Sequence, residues 1–244
     1  MDLSNKIAVC LSGQIRTGLL CAPAIIDFLG DQLNTCDFFI HTWDVNGYSP
    51  FDPSRPACDN EYQRELVRDM LVPLDEQILN SIKNIYKPIF VTVDNYSEYS
   101  LARAAEAKIP QWWSIWESNQ LKIKYEKQVN SRYRNVIRMR FDVTYGPTKL
   151  LQELMYMGGR PDYFYVSDPN NKCPDAIEDI CWIARSDIMD IACDFTLERS
   201  KTLNPTMDWQ THMADYLQRN NIKYKQFKNN WITHVRSETF SHTL

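Results

Sequence analysis

The chain reads as an α/β protein, with a mostly parallel or mixed central sheet flanked by helices. Short apolar runs of strand length, Lys6–Leu11, Cys36–His41 and Ile89–Val93 among them, alternate with stretches of helical periodicity. The first two runs are separated by one helix's length of chain, Leu19–Leu29, which suits a strand–helix unit whose natural outcome is a parallel pair. Several strand exits also carry arginine or aspartate, and in open α/β sheets ligands bind at that end.

Taken in order, the first strand runs into Ser12-Gly13-Gln14-Ile15-Arg16-Thr17-Gly18. Gly13 lets the backbone approach a ligand closely, and Ser12, Arg16 and Thr17 offer donors to a phosphate. The glycine spacing is neither that of a Rossmann fingerprint nor that of a Walker loop. An ordinary strand–helix connection would look the same. The second strand ends at His41-Thr42-Trp43-Asp44, where Trp43 is either a ring that stacks on a base or sugar, or a lid or core aromatic. About residues 46–60, rich in Gly, Pro, Ser, Asp and Asn, the expectation is a surface loop. Helical patches follow at Glu61–Met70 and Leu74–Asn84, then the strand Ile89–Val93 and a turn at Asp94.

A helix over Ala102–Lys108 is stopped by Pro110, and a longer one covers Gln111–Val129. In the latter, Trp112, Ile115, Trp116, Asn119, Ile123 and Glu126 approximate one stripe facing the sheet. Val136–Phe141 is the next strand. Arg138 and Arg140 share one of its faces by period two, and Asp142 stands at or just past its end. A helix over Thr148–Met157 is closed by Gly158 and Gly159, and the strand Asp162–Asp168 again ends on a carboxylate. A polar loop carrying Glu178 and Asp179 leads into the strand Ile180–Ala184 and the helix Ile188–Phe195, for which Ser186 or Asp187 is a cap. The helix Trp209–Arg219 and the alternating strand Ile222–Phe227 complete the order. His234, near the end, is a metal ligand or a strand-end residue.

With 244 residues, 44% of them hydrophobic and 24% charged, the chain can bury a sizeable core, and one domain over 1–244 is expected. A formal charge of −4 gives no footprint for nucleic acid, and no apolar run approaches the eighteen residues of a membrane span. The seven cysteines are odd in number, irregularly spaced and without a Cys-x-x-Cys pair. They read as reduced thiols of a cytoplasmic protein.

Across most of its length the sequence resembles the single-domain nucleotide-sugar glycosyltransferases of the GT-A type, in particular small bacterial or viral enzymes. The likeness is carried by Ser12-Gly13-Gln14-Ile15-Arg16 after the first strand, by His41-Thr42-Trp43, and by Arg138-Met139-Arg140-Phe141-Asp142. A late acid before a short strand and helix, Asp179 through Met189, adds to it. The resemblance implies a GT-A-like fold with a nucleotide site at Gly13, Arg16 and Thr17. It also implies that Asp142 fills the role of the family's Asp-x-Asp metal element, for Mn²⁺ or Mg²⁺, with Asp168 as a second metal candidate. Here the sequence departs from the pattern, because Arg140 stands where the first aspartate would be.

The activity so implied moves a sugar from a nucleotide-diphosphate donor to a glycan or other hydroxyl acceptor. Asp179, with Glu178 in reserve, would take the acceptor's proton, and Arg138, Arg140 or the cation would stabilise the leaving diphosphate. Three rivals stand beside it: a nucleotidyltransferase, a non-catalytic glycan- or nucleotide-binding domain, and a partner-binding protein using Trp112, Trp113 and Trp116 as an interface.

Overall fold

The computed structural model describes residues 1–46, 72–103, 110–145, 163–168, 177–199, 209–228 and 233–234. The expected helices over 61–70 and 148–157, and nearly all of the expected 46–60 loop, lie outside them.

Seven strands form the central sheet: β1 (Ile7–Ser12), β2 (Cys36–Trp43), β5 (Phe90–Asp94), β6 (Asn135–Met139), β8 (Phe164–Asp168), β9 (Cys181–Arg185) and β10 (Tyr224–Lys228). Their order is β10-β8-β9-β6-β1-β2-β5. All run parallel except β9, which is antiparallel to both of its neighbours. Two short ribbons flank the sheet, β3 (Val45–Asn46) with β4 (Val72–Pro73) and β7 (Val143–Thr144) with β11 (Thr233–His234).

The described helices are α1 (Gly18–Leu29), α2 (Glu76–Tyr86), α3 (Tyr96–Arg103), α4 (Pro110–Val129), α5 (Ser186–Arg199) and α6 (Trp209–Arg219). Central strand β1 is buried on both faces, which is why it reads as a continuous apolar run. Ile7, Val9 and Leu11 join Ile25 and Phe28 of α1 and Ile82 of α2 in one core. Ala8 and Cys10 face Trp112 and Ile115 of α4, Met189 of α5 and Met213 of α6 in the other. The molecule is therefore a three-layer sandwich, helices on both sides of a mixed sheet.

Two elements differ from their sequence expectation. The turn expected at Asp94 leads at once into the helix Tyr96–Arg103, because the Asn95 side chain accepts the Glu98 N–H at 2.8 Å and caps it, while residues 104–108 of the helix expected over Ala102–Lys108 lie outside the described residues. In α4 the buried stripe is Ser114, Ser118, Asn119, Lys122 and Glu126 together with Trp112 and Ile115, while Ile123 is only half-buried. Lys122 is fully buried because it meets Ser186 Oγ at 2.5 Å, Asp190 Oδ1 at 2.6 Å and Glu126 Oε2 at 3.4 Å. The network holds α4 against α5.

Strand order decides where a ligand would sit. From β1 the chain runs outward through β2 to β5, then returns to place β6 on the other side of β1. The β1–β6 boundary is thus a switch point, with a crevice beyond the carboxyl ends of the two strands. Six of the seven strands end on that rim, and β9 starts there.

Candidate functional site

The rim at the switch point gathers residues that are far apart in sequence. After β1 the chain turns through Gly13, at φ +112°, and Arg16, at φ +45°. Gly13 suits the first position, since a side chain there is strained and its Cβ would lie 3.3 Å from Gln111 Oε1. The Gly13 N–H is fixed by Ser114 Oγ of α4 at 2.6 Å. Ser114 Oγ in turn lies 2.7 Å from His41 Nδ1 at the end of β2. His41 is fully buried, and its Nε2 is 3.1 Å from Asp94 Oδ2, off the hydrogen-bonding direction. Burial pulls the pKa of His41 below its ordinary value, against the opposing pull of Asp94.

Arg16 reaches across to the turn after β6. Its Nη1 donates to Asp142 Oδ2 at 2.8 Å, its Nε to Gln14 Oε1 at 3.0 Å, and its own N–H to Asn46 Oδ1 at 2.9 Å. Arg140 grips the same carboxylate from the other side, and its Nη1 is 3.5 Å from Asp179 Oδ2. Burial by itself would raise the Asp142 pKa. The guanidinium of Arg140, then that of Arg16, outweighs it and holds the carboxyl well below its ordinary value. For Arg140, burial opposes the charge, and Asp142 and Asp179 overcome it. Two arginines and two carboxylates therefore form one continuous ion-paired cluster, only partly open to solvent, with side-chain exposures of 28% for Arg16, 20% for Asp179, 15% for Arg140 and 8% for Asp142.

The other expected residues divide. Arg138 does not share a face with Arg140: β6 ends at Met139, so Arg140 lies beyond the strand while Arg138 stays inside it with no exposed surface. Its Nε donates to Ser12 Oγ at 2.9 Å, its Nη1 to the Asp179 carbonyl, and its plane lies 5.3 Å from the Trp182 ring. Arg138 and Ser12, expected to face phosphate, are turned inward onto each other. Thr17 is also largely buried, with its hydroxyl 3.9 Å from Cys21 Sγ.

Trp43, open between stacking on a ligand and a lid or core place, is 1% exposed and packs against His41, Tyr96 and Tyr99, so its ring belongs to the core. Asp179 and Glu178 precede β9, as their place before the expected strand Ile180–Ala184 implies. The Glu178 carbonyl accepts from Trp182 Nε1 at 2.6 Å. Asp168 ends β8 on the same rim, and His234 pairs in register with Val143, next to Asp142. The side chains of these last two lie outside the described residues.

Asp142 as arranged does not fit a divalent cation. Both of its oxygens already accept from guanidinium groups. Among the described residues no group of three or more His, Cys, Asp or Glu side chains is placed to hold a metal.

A cleft of about 600 Å³ opens elsewhere, beside the start of β1 and β6 and the end of β9, at the opposite edge of the sheet. Arg132, Arg134 and Arg185 line it, with Arg132 paired to Asp190 and Arg185 to Asp187. Ser114, Tyr145 and Ser167 are site-supporting residues that sequence reasoning missed. Each acts through a hydrogen bond to a distant segment, which leaves no local signal.

No family model and no curated protein matches the chain. Among solved structures it is similar to a glycosyltransferase involved in glycosylation of the major capsid of PBCV-1, at 9% identity and a TM-score of 0.44, covering 91% of this chain and 82% of that one. It is also similar to an active-site mutant of LgtC, at 10% identity and a TM-score of 0.46, covering 89% and 72%. A nucleoside-diphosphate-sugar pyrophosphorylase from Vibrio cholerae RC9 is similar at 7% identity and a TM-score of 0.42, covering 96% and 98%. Among the described residues no helix is long and apolar enough to cross a membrane, and the five described cysteines are free.

Proposed function

We propose that this chain transfers a sugar from a nucleotide-diphosphate donor to a hydroxyl of a glycan or other acceptor, at the β1–β6 switch point. The observation that carries the reading is the direct contact of Arg16, from the turn after β1, with Asp142, from the turn after β6, at 2.8 Å. Two segments more than a hundred residues apart are thereby joined over the crevice where α/β sheets bind ligands.

The chemistry is displacement at the anomeric carbon. The acceptor oxygen forms a bond to that carbon, the bond to the diphosphate oxygen breaks, and the diphosphate leaves with the electron pair. Arg16 and Arg140 supply positive charge where the leaving group gains negative charge, a stabilisation that grows toward the transition state. Asp142 orients both guanidiniums, so they enter the reaction already aligned. Asp179, partly exposed beside Arg140, accepts the acceptor's hydroxyl proton. The arginines take the place of the metal in this scheme, in keeping with the way Asp142 is occupied.

Incubation with a panel of nucleotide-diphosphate sugars and saccharide acceptors, with Mn²⁺ or with a chelator, tests the reading. Release of nucleoside diphosphate that survives the chelator is the expected result. Binding of nucleotide sugars without release in any combination would reassign the chain to a binding module. Absence of any nucleotide binding by calorimetry would end the proposal.

A further inference from the structure

The backbone between Glu178 and Cys181 is held in an unusual way. The Glu178 carbonyl accepts from Trp182 Nε1, the Asp179 carbonyl from Arg138 Nη1, and the Ile180 carbonyl from Tyr145 Oη at 3.2 Å, while the Cys181 N–H donates to Ser167 Oγ at 3.2 Å. Three successive peptide groups are thus bound by side chains, the Ile180–Cys181 one through both its C=O and its N–H. Those side chains come from β6, β8, β9 and the residue after β7. Side chains do here what a strand ladder does elsewhere.

Tyr145 has a second role in the same place. Its hydroxyl oxygen also accepts the Arg140 N–H at 3.1 Å. One phenol therefore fixes the backbone on both sides of the Arg140–Asp179 pair. Arg138 fixes the carbonyl of Asp179 itself, and is anchored in turn to Ser12 at the end of β1. Neither side chain has surface enough to reach a ligand, at 3% exposure for Tyr145 and 0% for Arg138.

We infer that Tyr145 and Arg138 are positioning residues, which act through the peptide backbone to aim the Asp179 carboxylate at the acceptor. This rests on the reading of Asp179 as the proton acceptor. A carboxylate on a polar segment outside the sheet would otherwise wander, and small misplacements of a catalytic group are costly in rate. The Tyr145 ring itself packs on Phe28 at 5.4 Å, so removal of the hydroxyl alone leaves the core filled.

The test is Tyr145→Phe, alone and combined with Asp179→Asn, read by steady-state kinetics and by backbone hydrogen exchange. Tyr145→Phe should lower kcat on the order of tenfold or more while the donor KM stays within about twofold. The double variant should be no slower than Asp179→Asn, because the hydroxyl acts only through that carboxylate. Exchange at Cys181 should quicken on the order of tenfold, with β1 and β2 unchanged.

Full turnover in Tyr145→Phe, or rate losses that multiply with those of Asp179→Asn, would overturn the assignment. If the wild-type protein releases no nucleotide from any donor, the functional reading fails by itself. The exchange measurement still decides whether Tyr145 holds the segment, and unchanged exchange at Cys181 refutes that. Arg138→Lys gives an independent check on the same exchange readout, with the same two outcomes.

Discussion

Arg140 forks onto Asp142 through two parallel hydrogen bonds, Nε to Oδ1 and Nη2 to Oδ2, each 2.9 Å long. A bidentate pair between residues only two apart closes a tight ring after β6, and Arg16 completes it from the other side of the crevice.

Loss of the Asp142 charge is therefore a stability event. Asp142→Asn takes from Arg16 and Arg140 the counter-ion they share, leaving Arg140 only Asp179, and should cost about 3 kcal/mol, measured by urea denaturation at neutral pH. The pH dependence has a definite sign. The folded pKa is depressed from 3.8, so the pair's contribution is complete above that value and is lost as pH falls through the lower folded one. The gap in stability between wild type and variant should accordingly narrow in strong acid. A constant gap would show that the charge is not what Asp142 contributes.

His41 gives a second, separable pH effect. Its folded pKa is depressed below 6.5 by burial, so the unfolded chain takes up a proton that the folded one resists. Stability should fall as pH drops below about 6.5, by at most about 1.4 kcal/mol per pH unit for this one group. The denaturation midpoint followed from pH 7.5 to 5.5 measures the slope, and His41→Gln should flatten it. An equal slope in that variant would assign the effect to other groups.

Gly13→Ala tests the first turn. The positive φ disfavours any Cβ, and the expected cost is about 1–2 kcal/mol of stability, seen as a lowered Tm. Donor affinity should fall with it, since the same turn carries Arg16. Unchanged donor affinity, measured by calorimetry, would separate the turn from the site.

Lys122→Met probes the buried network between α4 and α5. The substitution leaves Glu126 and Asp190 with only the exposed Arg132 as a shared cation, and should cost about 3 kcal/mol in chemical denaturation. A loss below 1 kcal/mol, on the scale of an exposed pair, would mean that solvent reaches this network.

All seven sheet strands were legible in the sequence, most as short runs rich in apolar residues and β10 by its polar–apolar alternation, signals that need no knowledge of partners. Their order was not, and neither was the reversal of β9, since pairing is decided between segments. The α4 stripe shows the limit most directly. Periodicity favours Ile123 for the interior, yet Lys122 is the buried residue, because Asp190 and Ser186 wait on a helix more than sixty positions later. At the site, Arg16, Arg140, Asp142 and Asp179 were identifiable as charged groups at strand ends. Trp43 and Arg138 were open to either reading, because an aromatic or a cation at a strand end looks the same whether it turns outward or in. Asn95 and Glu98, spaced as a helix cap, could have announced α3.

The reversed course of β9 has one more consequence. Its neighbours present their trailing ends to the crevice, whereas β9 presents its leading one, so Asp179 arrives there ahead of its strand. The described side chains that hold the backbone around Asp179 come from β6, β8 and β9 and from Tyr145 just after β7. A substitution in β6 or β8 therefore reaches the Glu178–Cys181 backbone without lying near it in sequence.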